Sequence, residues 1–310
     1  MPINTIHTAG PIVVAGTGGF NLDGVETVSP APTLTEVMLE PAGLPDMAFI
    51  AMLASNPVVN ARVNDIKTAL SSIAMDGLKF PQTTVITTVT FYFTKVDERG
   101  TRATGANHFS VALNEGLITP NEITAAHGAH ATMSITAHPT YDGTNAPFVY
   151  SNTASIPHTP ILDELFKLGP IKINGTTLDG VTNLSLDFGI ELIKESSGGE
   201  PYPTFVAIQR RRPRFTITTR QLPSLNTFGL TGTAQTATDS VIYLRKITEN
   251  GVEEADASAV HISFTIDDGM IWTSEGSADN NDPGSATVIL QPSYDGTNPI
   301  IAISTATAIT

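Results

Sequence analysis

Two histidines three residues apart are the first pair in this sequence that could do chemistry. His127 and His130 lie in the stretch AAHGAH, and on a helix this spacing can bring two imidazole rings to one metal ion. Gly128 lies between them and lowers the helix propensity of the stretch. The stretch at the matching place later in the chain, SADNNDPGS, has no histidine. We therefore predict no metal site at these histidines.

Two loops resemble ligand-binding motifs but lack the context that gives such motifs their mechanism. Asp279–Ser285 is rich in side-chain oxygens, yet it has neither the spacing nor the final glutamate of an EF-hand. The glycines of Ala15–Phe20 (AGTGGF) are followed by turn residues and two prolines, whereas a dinucleotide loop opens a helix. We interpret the first as a solvated loop and the second as a simple turn, and we predict no cofactor.

The remaining candidates for catalysis are weak. The chain has no cysteine, so thiolate ligands and cysteine nucleophiles are excluded. The carboxylates of Glu253–Glu254 and Asp267–Asp268 are adjacent in sequence, and adjacent side chains of a strand point to opposite faces. His108 and His261 each open a predicted strand without a serine or aspartate motif nearby, which favours a shared packing or hydrogen-bonding role. We predict no catalytic residue and no enzyme activity.

The composition indicates a β-rich protein that hides much of its surface. Hydrophobic residues make up 41% of the 310 residues and charged residues only 15%, below the ~25% of an average globular protein. The formal net charge of −14 repels nucleic acid on average. The start MPINTIHTAGPIVV has no signal-peptide pattern, and no apolar run reaches the ~20 residues of a membrane span. We expect burial in cores or against copies of the same chain, and no membrane binding.

Four arginines of the stretch RRRPR contrast with this acidic background. They are Arg210, Arg211, Arg212 and Arg214, and the matching stretch ASNPV has no cation. Along a strand, alternate arginines would share one face if Pro213 allows it. Three interpretations stay open: a solvated edge that resists aggregation, a patch that meets carboxylates of a neighbouring subunit, and a nucleic-acid contact, which the net charge disfavours. We take the four as candidates for a subunit interface.

The chain repeats itself. The stretch PTYDGTNAPFVYSNTASI from Pro139 and the stretch PSYDGTNPIIAISTATAI from Pro292 share eight identities over 18 positions, at an offset of 153. LDGV occurs from Leu22 and again from Leu178, at an offset of 156. HFSVALNEGLI and HISFTIDDGMI also match at 153. Drift of a few residues is what small loop insertions produce, so we predict a tandem duplication, with YDGTN as a turn in both copies.

Strands dominate each predicted unit, and one short helix packs beside them. Stretches such as TTVITTVTFYFTKV and SVIYLRKI are β-branched and aromatic and end in turn signals. NDIKTALSSIAM has Asn64 or Asp65 as a helix cap and an apolar face. Its counterpart RQLPSLNTFG contains Pro223, which predicts a helix of one or two turns. We predict a mainly β fold, a β-sandwich or barrel with one flanking helix per unit.

The predicted units are residues 1–157 and 169–310, joined by a connector at 158–168. Thr159 as N-cap and Pro160 at the first helical position favour a short helix over ILDELFK.

This combination resembles the tail-tube proteins of long-tailed bacteriophages. The resemblance covers essentially the whole chain and rests on architecture: a duplicated β unit with one flanking helix, no cysteine, no active site and an acidic balance. In that family, subunits form hexameric rings that stack into a hollow tube, and fused pairs of the domain let a trimer build a pseudo-hexameric ring.

The resemblance implies a function and a set of partners. It implies a structural virion protein of the phage tail, made in the host cytoplasm, whose partners are its own copies in homotrimeric rings. The tape measure protein and the genomic DNA would occupy the lumen transiently, and an acidic lumen would keep DNA from adhering. The stretch VSPAPTLTEVMLEPAGLPD, which we expect to be irregular, would serve as an inter-ring loop.

Two other classes stay open. The first is an adhesin or glycan-binding surface protein with tandem β-sandwich domains; the single tryptophan, Trp272, lies in a strand-like context, which disfavours a sugar-stacking platform. The second is another virion component, such as a decoration or baseplate protein, which the sequence hardly distinguishes from a tube protein.

Overall fold

The computed structural model describes residues 5–39, 42, 49–82, 85–105, 107–162, 164–229, 233–277 and 284–310. These residues form a mainly β fold, as predicted. The strands of the first half are β1 (Thr5–Ala15), β2 (Phe20–Leu22), β3 (Val25–Ala31), β4 (Leu34–Leu39), β5 (Phe49–Ser55), β6 (Val58–Val63), β7 (Leu78–Phe80), β8 (Thr88–Asp97), β9 (His108–Leu113), β10 (Gly116–Ala126), β11 (Thr132–Pro139) and β12 (Val149–Ala154). The strands of the second half are β13 (Leu165–Ile173), β14 (Thr176–Thr177), β15 (Val181–Asp187), β16 (Ile190–Glu195), β17 (Phe205–Arg211), β18 (Arg214–Thr219), β19 (Gln235–Thr236), β20 (Ser240–Ile247), β21 (His261–Ile266), β22 (Gly269–Ser277), β23 (Ser285–Pro292) and β24 (Ala302–Thr307).

Period-two burial explains why these residues form strands. In β6, Val59, Ala61 and Val63 are buried, and the residues between them are exposed. In β18, Phe215 and Ile217 are buried in the same alternating way. One face of these two strands therefore packs on a core and the other is more exposed, as in a sandwich of antiparallel sheets.

Two five-stranded sheets have matching strand orders. The first runs β12-β9-β8-β1-β2, and the second runs β24-β21-β20-β13-β14. Each first-half strand thus has a second-half strand at the same place. The register also shifts at matching points, between Ala9 and Ile12 in β1 and between Leu168 and Ile171 in β13.

A single ten-stranded sheet runs through both halves of the chain. Its main path is β19-β22-β23-β18-β15-β10-β11-β6-β3, and β7 pairs with β10 beside that path. The second-half run β22-β23-β18-β15 has the same order as the first-half run β10-β11-β6-β3. The two runs join where β15 pairs with β10.

The core lies between the ten-stranded sheet and the five-stranded sheets. Phe215 of β18 and Phe264 of β21 meet edge to face across it, with ring centroids 6.1 Å apart, and both are fully buried. Edge-to-face packing is electrostatically favourable for the quadrupoles of the two rings, and the rings fill the space between the sheets. The architecture is therefore a β-sandwich.

Two short helices flank the sheets. Helix α1 (Ile66–Ser72) begins after Asp65, whose Oδ1 accepts a hydrogen bond from the Thr68 amide at 3.3 Å. Ile66, Ala69 and Leu70 of α1 are buried against the core. Helix α2 (Leu222–Thr227) contains Pro223 and is shorter, as predicted.

Two local predictions are wrong. The connector has no helix in its described residues, and strand β13 already begins at Leu165, because the core buries Phe166 and Ile171 on the two sides of the register shift in that strand. The stretch predicted as an irregular inter-ring loop contains the end of β3 and all of β4. The rest of that stretch, within 40–48, lies outside the described residues apart from residue 42, and so does most of the predicted solvated loop Asp279–Ser285.

Candidate assembly surfaces

The joint between the two halves is a β-ladder. Its register runs from Glu122 opposite Asp187 to Ala126 opposite Asn183. The Ser185 hydroxyl donates a hydrogen bond to Glu122 Oε1 at 2.6 Å. Backbone hydrogen bonds extend the joint on both sides, from the Phe188 amide to the Asn121 carbonyl and from the His127 amide to the Thr182 carbonyl.

The strands that correspond to β15 and β10 of this joint are β3 and β22, which lie towards the two ends of the ten-stranded sheet. In the part of the chain that the structure describes, β3 pairs only with β6. On the side of β22 that faces away from β23, β19 pairs with Met270 and Ile271, and no strand pairs with Glu275. Ser29 pairs with Asn60 at the place where Ser185 pairs with Thr216, and Glu275 in β22 matches Glu122 in β10. Both Ser29 and Glu275 are exposed. The open ends therefore carry the same serine and glutamate that meet inside the chain.

A second-half hairpin packs on the first half. Strands β16 and β17 form this hairpin, and the loop between them reaches across. The Pro203 carbonyl accepts from the Tyr141 amide at 2.8 Å, and the Pro201 carbonyl accepts from the Ser55 amide at 2.7 Å. The rings of Tyr141 and Tyr202 lie 6.3 Å apart. This hairpin therefore ties the second half to the first through backbone and aromatic contacts.

The matching first-half hairpin has an exposed apolar surface. Strands β4 and β5 pair with each other and form a separate two-stranded sheet. Five of its large apolar side chains are exposed: Leu34, Met38, Ile50, Met52 and Leu53. An exposed apolar surface of this kind usually marks an interaction site.

The arginine cluster makes its visible ion pairs within the chain. Pro213 separates β17 from β18. Arg210 Nε lies 2.5 Å from Glu191, and Arg212 lies 3.7 Å from the same carboxylate. Arg211 donates to the Met75 carbonyl and to Asp76 Oδ1, both at 2.8 Å, and so joins the halves. Arg214 is exposed, and the role of the cluster at a subunit interface stays a prediction.

The paired histidines near the start of strands have the same hydrogen bond. His108 Nδ1 accepts from the Lys95 amide and His261 Nδ1 accepts from the Lys246 amide, each at 3.1 Å. Burial lowers the pKa of His108, which keeps this nitrogen free to accept. The predicted shared role is confirmed.

The repeated YDGTN stretches also form the same turn. Oδ1 of Asp142 accepts from the amides of Thr144 and Asn145, and Oδ1 of Asp295 accepts from the amides of Thr297 and Asn298, at 2.6 to 2.8 Å. The side-chain amide of Asn145, together with these backbone amides, lowers the pKa of Asp142, and the backbone amides of Thr297 and Asn298 lower the pKa of Asp295.

The other sequence candidates are dispersed. His130 Nε2 lies 3.0 Å from Glu26 Oε1, and the His127 amide belongs to the joint. Within the described ranges, no group of three His, Asp or Glu side chains could hold a metal ion. Gly16 and Gly19 lie in the turn between β1 and β2, as predicted for AGTGGF.

One titratable group is strongly perturbed. Burial, followed by the charge of Lys194 on the hairpin, lowers the pKa of His138 in β11 to about 3. Its Nε2 lies 3.2 Å from the Thr119 hydroxyl. Burial likewise lowers the pKa of Lys194. This pair lies where the hairpin covers the first half.

Sequence reasoning missed the open sheet ends and the exposed hairpin. Ser29 and Ser185 match at an offset of 156, and Glu122 and Glu275 match at 153. The repeat therefore contained the signal, but only the pairing of strands shows which residues meet.

No protein-family model and no curated protein matches this chain. No helix in the described residues is both long enough and apolar enough to cross a membrane.

Proposed function

We propose that this chain is a structural virion protein whose copies assemble into rings, and that the rings stack into the hollow tail tube of a bacteriophage. Two equivalent units, residues 1–157 and 169–310, form the repeating element. Three copies give a pseudo-hexameric ring of six units, as the resemblance to tail-tube proteins implies.

The matching strand orders support the equivalence of the two units. The five-stranded sheets agree strand by strand, and the two runs of the ten-stranded sheet agree as well. The register shift between Val25 and Thr27 in β3 recurs between Val181 and Asn183 in β15. Matching bulges at matching places favour one ancestral unit copied in tandem.

The observation that carries the proposal is the joint between β10 and β15. It pairs strand β10 of the first unit with strand β15 of the second unit. The matching strands, β22 and β3, lie towards the two ends of the ten-stranded sheet and have unpaired edge residues. An open β22 of one molecule can then receive β3 of another by the same contact. A heterologous contact of this kind generates a closed ring or a filament, and ring closure pairs the free ends of the ten-stranded sheet.

The negative net charge of the chain is compatible with transient passage of DNA and tape measure protein through the tube. A chain of net charge −14 has few cations with which to hold phosphates, so nucleic acid gains little counterion-release affinity from the wall.

The test is negative-stain microscopy of the purified protein over a range of concentrations. We expect rings, or tubes with a regular axial repeat. Discrete particles of 32.7 kDa at every concentration would overturn the proposal and favour a monomeric surface-binding protein.

A single substitution tests the joint itself. Ser29→Asp should place two carboxylates together at the contact between β3 and Glu275 of a second copy, and we expect the concentration needed for assembly to rise about tenfold or more. Thr101→Asp adds the same charge at an exposed residue of the loop after β8 and serves as the matched control. Equal assembly of the two variants would contradict the proposed joint.

A further inference from the structure

We infer that the groove beside Trp272 is a docking site for the β4–β5 hairpin of a second copy of this chain. The inference names the surfaces that meet in the assembly proposed above, and it rests on that proposal.

The groove is apolar and open. It has a volume of about 580 Å³, and Met270 and Trp272 of β22 lie along it. Met270 is 53% exposed. The other lining residues are Thr233, Ala234, Thr273, Gln291, Pro292 and Ser293.

The matching face of the first half is covered. Leu117 of β10 pairs with Lys79 and His138, as Met270 of β22 pairs with Thr236 and Gln291. Leu117 is only 5% exposed and Thr119, the counterpart of Trp272, only 2%. The hairpin β16–β17 packs against β10 at this face. The groove is therefore the second-half copy of a surface that a hairpin occupies in the first half.

The two hairpins correspond residue by residue. Leu192 pairs with Ile208 in the second-half hairpin, and Glu36 pairs with Met52 in the first-half hairpin. Both have a register shift at the same point, after Glu191 and after Thr35. This alignment makes Met52 the counterpart of Ile208.

Ile208 identifies the face of the hairpin that makes the contact. A Cβ built at Gly77 would lie 3.6 Å from Ile208 Cδ1, so Ile208 lies against the edge of the covered face. The alignment places Met52 of a second copy against Ala234, the counterpart of Gly77. Met38 and Ile50 lie opposite each other in the open hairpin and are 53% and 58% exposed. Apart from Glu36, this face is apolar and suits an apolar groove.

The hairpin cannot belong to the groove of its own molecule. It follows β3, which ends the ten-stranded sheet on one side, and the groove lies on β22 towards the other side. Six strands stand between β3 and β22. A second copy joined through β22 and β3 brings its hairpin to this groove, just as the internal joint brings β16–β17 to β10.

Tryptophan fluorescence and two variants test the contact. Trp272 is the only tryptophan, so we expect its emission to shift to shorter wavelength when the protein assembles. The double variant Ile50→Asp/Met52→Asp should need about tenfold more protein to assemble, because a carboxylate without a partner is strongly unfavourable in an apolar contact. Leu53→Asp is the matched control, because the counterpart of Leu53, Gln209, stays exposed in the packed hairpin. Circular dichroism of each variant checks that the sandwich is folded.

Cross-linking separates this inference from the proposed function. The wild-type chain has no cysteine, so Met52→Cys/Ala234→Cys gives two unique thiols for a short bismaleimide. We expect covalent dimers and larger ladders, and we expect few from Leu53→Cys/Ala234→Cys. Rings that form without this cross-link, or that tolerate Ile50→Asp/Met52→Asp as well as Leu53→Asp, would overturn the docking and leave the tube proposal intact. Cross-linked pairs without rings or tubes would support the docking and contradict the tube proposal. If neither the cross-link nor rings or tubes formed, the docking and the tube proposal would both be overturned.

Discussion

The same surface is covered in one half of this chain and exposed in the other. In the first half, strand β10 is covered by the second-half hairpin β16–β17, whereas the matching part of β22 in the second half is open. Leu117 is 5% exposed and its counterpart Met270 is 53% exposed. The strands have corresponding partners in both halves, so the difference arises from the neighbour and not from the local fold. We propose that a second molecule binds where this surface, covered in one half, is exposed in the other.

The cores of the two halves also differ, within the same framework. Phe215 and Phe264 fill the second-half sandwich, and the corresponding positions in the first half are Val59 and Val111. All four are fully buried. The second half therefore relies on an aromatic pair where the first half uses smaller aliphatic side chains.

The largest effect we expect comes from breaking that aromatic pair. Phe264→Ala should lower the free energy of unfolding by about 3–5 kcal/mol, because it removes a buried ring and leaves a cavity. Val111→Ala, the matched change in the first half, removes far less volume and should cost about 2 kcal/mol. Urea denaturation followed by circular dichroism measures both. Equal losses would show that the two cores are equally dependent on these positions.

The next effect concerns the covered face and depends on pH. His138 stays neutral in the folded protein down to a pKa of about 3, whereas an unfolded histidine binds a proton below about 6.5. The unfolded state therefore binds more protons between these values, and stability falls as pH falls. His138→Gln installs the residue found at the matching position, Gln291, and should remove a slope of up to about 1.4 kcal/mol per pH unit.

The measurement is urea denaturation at about pH 7, 5.5 and 4.5, within the window in which the slope applies. We expect the stability of His138→Gln relative to wild type to rise at each step to lower pH. Gln291→His in the dissociated protein is the converse control, and at the open groove it should add little pH dependence. A wild type and a His138→Gln variant with parallel pH profiles would contradict burial of this histidine.

The smallest effect tests the arginine that joins the halves. Arg211→Ala should cost about 1 kcal/mol, because it leaves the Met75 carbonyl without its donor. The ion pair with Asp76 adds little, because the Asp76 side chain is 88% exposed. Arg210→Ala breaks only a pair with Glu191 on the neighbouring strand and should cost less. Thermal denaturation compares the two, and a larger loss for Arg210→Ala would contradict the assignment of Arg211 to the contact between halves.

Sequence alone determined the mainly β class and much of the local structure. β-branched and aromatic stretches predicted strands such as β8 and β20, Asp65 lay at the predicted start of α1, and YDGTN predicted the turns around Asp142 and Asp295. These features depend on residues close together in the chain, so a local pattern suffices to specify them. The helix predicted in the connector was wrong for the same reason: ILDELFK has local helix signals, but Phe166 and Ile171 are buried in the core as residues of strand β13.

Only the tertiary structure decided which edges meet and which stay open. The repeat placed serines at 29 and 185 and glutamates at 122 and 275, but nothing local says that Ser185 bonds Glu122 while Ser29 and Glu275 face outward. Strand pairing joins residues far apart in sequence, and its outcome depends on which neighbouring strand arrives at each edge. The same physical reason applies to Arg211, whose partner lies on the other half of the chain. It also applies to the groove beside Trp272, which is open because no hairpin among the described residues packs against β22 there.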